Sequence, residues 1–420
     1  MARAMKDSGI EWIGEIPEDW EVKKLKPFLK WKSIKGCGKE VVLSLYRDYG
    51  VLPKDSRDDN HNVTSLDTDS YKLVDIGDFV INKMKAWQGS MAVSNFRGIV
   101  SPAYHVCSFT SPKIYKPYFH YLMRNKSYLP EYERLSSGLR IGQWDLSFED
   151  FCQLPFLLPS LSEQQRIADF LDEKVSQIDS TISKTRESIE EYKKLKQAII
   201  TEAVTGKSEK VEGKSETLPD GWKWMKLKFL VEKNLQYGAN ESGIEYNSAL
   251  PRYVRITDID SNGNLKNDEM LSLSEENSKD YLLEDGDILF ARSGASVGKT
   301  FIYKTLYGRC CFAGYLIRAK LNKKIINPQF FFYYTLSSKY DIWKNGIFIQ
   351  STIQNIGADK YSNLEVPVPP LTSQLSLITF LDQKCSEIDA LITKKEQLIT
   401  ELETYKKSLI YEVVTGKREV

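Results

Sequence analysis

A chain of 420 residues is long enough for two or three domains, and its 41% hydrophobic and 27% charged content, with no apolar run near the ~18 residues of a membrane span, excludes a membrane-spanning protein. Fifty-eight basic against 57 acidic side chains leave a formal charge of +1, so a nucleic-acid surface would have to come from arrangement rather than bulk charge. Six cysteines without a Cys-x-x-Cys spacing and three histidines argue against a disulfide scaffold and a zinc site, and with no apolar stretch before Trp12 a cytoplasmic address is expected.

Residues 1–155 read as a mixed α/β domain opened by Ile16-Pro17-Glu18-Asp19-Trp20. Residues 74–81 predict a Gly-Asp turn leading into a buried strand, residues 99–106 a second strand, and the aromatic run 118–122 a helix on the sheet. Residues 156–207 predict one long helix, started by Pro159 with Ser162 as its N-cap and stopped by Gly206. Its apolar positions Ile178, Ile182, Ile189, Tyr192 and Ile199 keep heptad phase, and at 1.5 Å per residue the helix would reach roughly 60 Å. Residues 208–217 have the composition of a linker. Residues 218–366 form a second α/β domain, opened by Leu218-Pro219-Asp220-Gly221-Trp222, with strands expected at 283–290 and 310–317 and a helix at 330–336. Residues 367–420 predict a second long helix, with Thr372 as N-cap and Ile388, Ile392, Ile399, Leu402 and Leu409 in the same phase as the first.

The two halves are copies of one plan. Glu202-Ala203-Val204-Thr205-Gly206-Lys207 recurs 210 residues later as Glu412-Val413-Val414-Thr415-Gly416-Lys417, and Phe170-Leu171-Asp172 recurs as Phe380-Leu381-Asp382. Such a period is far longer than the roughly 20–50 residues of solenoid repeats, so this is a duplicated domain pair. The fold class expected is α+β: two related mixed α/β domains joined by two long helices that bury their seams against each other as an antiparallel coiled coil.

Catalytic signatures are missing. Arg292 to Thr300 resembles a phosphate-binding loop, but Ser293 stands where its first glycine belongs, and the other half has no Gly-Lys-Thr. No dinucleotide fingerprint, nucleophile elbow or metal-ligand spacing is present, which favours a binding protein. Reading DNA requires amides and guanidinium groups for base edges, and cations or hydroxyls for phosphates. The first domain offers Lys83, Lys85, Trp87, Gln88 and Ser90 on the loop after its Gly-Asp strand, and a later loop holds Ser136, Ser137, Arg140, Gln143 and Trp144. The second offers Arg292, Ser293 and Lys299, then Gln350, Ser351, Thr352, Gln354 and Asn355. Trp20 and Trp222, each beside a proline, read as core anchors. The competing readings are a nucleotide-binding protein acting through residues 292–300, and a coiled-coil scaffold that binds protein.

The order of these parts resembles the specificity subunit of type I restriction-modification systems. The resemblance is carried by Leu154-Pro155, the run from Pro159 through Gln164-Gln165-Arg166-Ile167-Ala168 to Asp172, Ile178-Asp179 and the Thr-Gly-Lys helix end, with their second-half partners. One departure is Leu375-Ser376-Leu377-Ile378, which replaces the Gln-Arg-Ile-Ala of the first copy. The resemblance implies a non-catalytic subunit of a defence system against foreign DNA. It implies that each target-recognition domain reads one half of a bipartite, asymmetric site in double-stranded DNA, while the helices set the spacing and dock two modification subunits. It further implies no cofactor on this chain: S-adenosylmethionine would come with the modification subunits, and ATP and magnesium with restriction subunits. No membrane partner is expected.

Overall fold

The computed structural model describes residues 3–47, 49–57, 68–138, 144–206, 218–260, 263–349 and 355–420; the linker expected at 208–217 lies outside them. The chain divides into two compact units, Met1–Thr185 with Glu396–Val420, and Arg186–Lys395. Each long helix is therefore shared between the units. The C-terminal end of the second helix belongs with the first domain, far away in sequence, because its apolar seam is buried there against the first helix and the domain core.

In the first unit, β1 (Glu21–Lys24), β2 (Leu29–Lys32), β3 (Phe79–Asn82), β4 (Met91–Val93), β5 (Tyr104–Phe109) and β6 (Pro155–Leu158) frame the domain. The central sheet is antiparallel with order β2-β5-β3-β4, and β6 pairs with β1. Helix α1 (Lys116–Met123) buries Tyr118, Phe119, Leu122 and Met123 in the core with Phe79 and Ile81. In the second unit, β7 (Lys223–Lys226), β8 (Gln236–Tyr237), β9 (Ile288–Ala291), β10 (Thr300–Ile302), β11 (Leu316–Ala319) and β12 (Glu365–Val368) repeat the plan. The sheet order is β8-β11-β9-β10, β12 pairs with β7, and the aromatic helix is α3 (Pro328–Thr335).

Two stretches expected as single strands are each broken in two. Pro102 lacks the amide that a ladder needs, so Gly98–Val100 pairs with Lys72–Val74 while β5 joins the central sheet. Cys310–Phe312 likewise pairs in parallel with Arg252–Val254, and the chain turns at Gly314-Tyr315 before β11.

The long helices are α2 (Leu161–Thr205) and α4 (Leu371–Val414), 45 and 44 residues long. Ser160 rather than Ser162 caps α2, its hydroxyl accepting from the Glu163 amide at 3.3 Å, and α4 starts after Pro370, which leaves Thr372 inside the helix. In the first unit the helices run antiparallel: Ile178 and Ile182 share a core with Leu409, Val413, Ile399 and Leu402, and Lys406 bonds Asp179 at 2.7 Å. In the second unit Ile199, Ile200 and Val204 share a core with Leu381 and Cys385, and Lys196 bonds Asp389 at 2.7 Å. These two ion pairs are related by the 210-residue offset. Ile189 and Ile388 are buried, whereas Tyr192, Ile199, Ile392, Ile399 and Leu402 are half-buried.

The repeated motifs fasten domain to helix. Gln164 is fully buried: its Oε1 accepts from the Tyr115 amide at 2.8 Å, and its Nε2 donates to the carbonyls of Lys113 and Pro159 at 2.9 Å. Gln374 does the same with the Asn327 amide at 2.7 Å and the carbonyls of Ile325 and Pro369 at 3.0 and 2.8 Å. Asp172 accepts from the Tyr121 hydroxyl at 2.7 Å, and Asp382 from Tyr333. Burial and these carboxylates push both phenols up, so they remain donors. The helix ends close on the domain openings. Gly416 adopts φ 72°, where a Cβ would lie 2.3 Å from Pro17, and Gly206 adopts φ 72°, where a Cβ would lie 2.6 Å from Pro219. Trp20 is fully buried in the core, and Trp222 packs edge-on to Phe330 at 6.4 Å.

Candidate nucleic-acid interface

The first candidate loop is the tip of the β3–β4 hairpin. Asp78 fixes the turn that launches β3: its carboxylate accepts from the Asp75 amide at 2.8 Å and from Lys32 Nζ at 2.6 Å. Beyond Asn82 the chain makes a 3-10 turn, Lys83–Gln88, and returns as β4. The later loop comes to the same place. Lys83 Nζ bonds Asp145 at 2.8 Å, and the Trp87 and Trp144 rings meet edge to face at 5.3 Å. Ser136 and Ser137 pair with Leu146 and Asp145 in a short antiparallel ladder. Arg140 and Gln143 lie outside the described residues. Lys85 is exposed and Gln88 half-buried. Ser90 departs from the expectation: it is 3% exposed behind the turn, where the Asn82 amide bonds its carbonyl, so its side chain has no surface for a duplex.

The second domain builds its tip on the same hairpin, β9–β10. Asp287 caps the preceding turn by accepting from the Glu284 amide at 2.9 Å, with Arg318 3.6 Å away. Burial pushes the Asp287 carboxyl up, and the Glu284 amide and Arg318 oppose this. In the first domain the cation at this aspartate comes from the edge strand, as Lys32; here it comes from the neighbouring strand, as Arg318, which is registered opposite Gln236. The tip, residues 292–299, contains a 3-10 turn at Gly294–Ser296. Ser293 forms an antiparallel bridge with Asn355, and the Ile356 amide donates to the Arg292 carbonyl at 2.9 Å, so Asn355 of the later cluster meets the tip here as well. Gln350, Ser351, Thr352 and Gln354 lie outside the described residues. Lys299 is exposed.

This geometry is not that of a phosphate-binding loop. Such a loop runs from a strand into a helix whose amides hold the phosphate, and its Ser/Thr hydroxyl reaches a magnesium ion. Here the chain returns as antiparallel strand β10, and the buried Thr300 hydroxyl is 2.7 Å from that of Thr335. Among the described residues no group of three or more His, Cys, Asp or Glu is placed to hold a metal, and no helix is long and apolar enough to cross a membrane.

Two aromatic residues beside the second tip were not singled out from the sequence. Tyr237 lies on the edge strand β8, with the Arg292 guanidinium 5.0 Å from its ring centroid. Tyr315, 65% exposed, accepts from the Arg292 amide at 3.0 Å through its carbonyl. Neither sits in a repeated motif, so the sequence held no pattern to mark them. Asp145, which neutralises Lys83, escaped notice for the same reason.

The chain matches the family model "Type I restriction modification DNA specificity domain" twice, over residues 17–191 and 219–403. It is similar to the type I restriction enzyme StySPI specificity subunit of Salmonella potsdam, with 24% identity over 74% of this chain and 66% of the relative. It thus spans just under two thirds of that relative's length. The MjaVIII specificity subunit of Methanocaldococcus jannaschii is 26% identical over 96% of this chain and 94% of its own. A solved structure described under complex assembly and conformational transition of the type I R-M system superposes with a TM-score of 0.75 at 16% identity, covering 96% of this chain and 99% of that one. At that identity the likeness speaks for the fold.

Proposed function

The chain belongs to the type I restriction modification DNA specificity family, a family of non-catalytic specificity subunits, and on that premise we propose that its two hairpin tips are the surfaces that read DNA. The first domain would read one half of a bipartite, asymmetric site through Lys83, Lys85, Trp87, Gln88, Arg140 and Gln143. The second would read the other half through Arg292, Ser293, Lys299, Gln350, Ser351, Thr352, Gln354 and Asn355. The observation that carries this reading is convergence. In each domain the described residues beside a later cluster, Trp144 and Asp145 in the first and Asn355 in the second, meet the tip of the same hairpin of equivalent sheets, some 55 residues away in sequence. The side chains at the two tips differ, as two different half-sites require.

The helices would hold the domains at a fixed spacing and dock two modification subunits that bring S-adenosylmethionine. Restriction subunits using ATP and magnesium would join that cytoplasmic complex. Exchanging residues 1–155 for the corresponding domain of a relative, then mapping methylated positions in cells that also carry the modification subunits, tests this. One half-site should change and the other should persist. A change in both half-sites refutes independent reading.

The spacing role has its own test. Because Lys406 bonds Asp179 and Lys196 bonds Asp389, an insertion in one helix alone would break the pairing, so four residues are added to each, after Thr185 and after Lys395. That adds about 6 Å of helix, and the unspecified spacer should lengthen by roughly two base pairs at about 3.4 Å each. An unchanged spacer at full activity refutes the ruler.

A further inference from the structure

Five arginines lie between residues 218 and 366, and four are committed within the protein. Arg252 donates to Asn267 and to the Lys266 carbonyl, Arg255 to Asp258, Arg309 to Glu275, and Arg318 to Gln236 and the Leu282 carbonyl beside Asp287. Arg292 is the exception: among the described residues its guanidinium meets no carboxylate, amide or carbonyl, and its buried Nε has no acceptor. A charged donor set left unmet on a half-buried side chain calls for an explanation.

Everything else about Arg292 is fixed. Its amide donates to Tyr315 and its carbonyl accepts from Ile356, so the backbone is pinned from both sides. The guanidinium lies 5.0 Å from the ring centroid of Tyr237. Tyr237 is itself held at both ends: its strand pairs with β11, where it faces Ile317, and its hydroxyl accepts from the Ala358 amide at 3.0 Å. The residue before it is anchored too, with Gln236 donating to the Asp280 carbonyl at 3.0 Å and accepting from Arg318. The ring is thus a rigid shelf under a planar cation, which fixes its orientation without neutralising its charge. A carboxylate in the same place would hold the guanidinium but occupy its donors.

We propose that Tyr237 is a positioning residue for base recognition: its ring presents the Arg292 guanidinium as a bidentate donor to the O6/N7 edge of one guanine in the half-site read by the second domain. The inference rests on the reading of the 292–299 tip as a DNA surface. What it adds is a base class, and a residue that acts without touching DNA.

The test maps methylation in cells carrying the chain with its modification subunits, scoring discrimination at every position of the target. Arg292→Ala should relax one guanine position at least tenfold and leave the other half-site intact. Tyr237→Leu should relax the same position by about fivefold, and Tyr237→Phe, which keeps the ring but loses the hydroxyl held by Ala358, should relax it clearly less. Arg292→Lys keeps the charge but loses the planar fork, so it should also relax that position. The double variant Arg292→Ala with Tyr237→Leu should be no worse than Arg292→Ala alone. Unchanged discrimination in Tyr237→Leu while Arg292→Ala relaxes the site overturns the positioning role and leaves the hairpin reading standing. Loosening at many positions in Tyr237→Leu, or equal loss in Tyr237→Phe, makes the tyrosine merely structural and also overturns it. If Arg292→Ala changes no position, the hairpin reading fails, and this inference with it.

Discussion

Replacing Gln164 by alanine should loosen the first domain from its helix without touching either hairpin tip. The side chain is fully buried and makes three hydrogen bonds of 2.8, 2.9 and 2.9 Å to backbone groups of residues 113, 115 and 159. Each such bond contributes about 1 kcal/mol net, and the backbone groups left behind have no water to turn to, so the loss is about 3 kcal/mol. That is roughly a hundredfold rise in the local opening equilibrium. Hydrogen-exchange mass spectrometry reads the two units separately. Amides of residues 115–123 should exchange about a hundredfold faster, while residues 327–335, held by Gln374, should not change. Gln374→Ala should give the mirror image. Gln177→Ala is the control, since that exposed side chain bonds only its neighbours on the same helix, Glu173 and Lys174. If Gln164→Ala exchanges within threefold of Gln177→Ala, the clamp is not what joins domain to helix.

Gly416→Ala must both hold φ 72° and place a Cβ against Pro17, so it should destabilise the first unit by about 2 kcal/mol, read as faster exchange at residues 411–417. Burial, with Arg124 nearby, holds the His120 imidazole down at about 3, and its Nδ1 accepts from the Val93 amide at 3.2 Å. The folded state therefore favours neutral imidazole: this stabilisation is complete above pH ~6.5 and is lost as pH falls toward the folded value, by about 2 kcal/mol at pH 5. His120→Gln should flatten the pH dependence of first-unit exchange between pH 7 and 5, and an unchanged slope would remove His120 as its source. Ser90→Ala should leave the mapped target unchanged, because that side chain is buried behind the tip. Asp179→Ala breaks an exposed pair with Lys406 and should cost less than about 1 kcal/mol in first-unit stability.

The helices and the duplication were legible because both repeat: heptads every seven residues, and the helix motifs 210 residues apart. The meaning of the motifs was not. Gln164, Asp172 and Gly416 act on Tyr115, Tyr121 and Pro17, partners that lie on another element or some 400 residues away, so no local pattern reveals them. The strand breaks at Pro102 and after Phe312 were missed because continuous apolar character outweighed the turn residues. Within the hairpin tips, residue type pointed to Arg292 and Lys83 alike. Only the structure shows that Lys83 is paired with Asp145 while Arg292 rests on Tyr237.

That last difference shows how one scaffold carries two different tips. The turn before each hairpin is held by an aspartate accepting a backbone amide three residues upstream, Asp78 from Asp75 and Asp287 from Glu284. The cation that balances the aspartate has moved from one strand to the next, Lys32 in the first domain and Arg318 in the second, with the hairpin unaltered. The frame therefore depends on the aspartate and its amide, and the neighbouring positions are free to change. Behind the sheet, the glutamine clamp and the Thr-Gly helix end fix each domain to its helices by backbone contacts that no tip residue enters. Substitutions at residues 83–88 or 292–299 are thus separated from the bonds that set the domain's placement. On the proposed reading, a tip can change its side chains while its domain keeps its place on the helices, because different atoms carry the two properties.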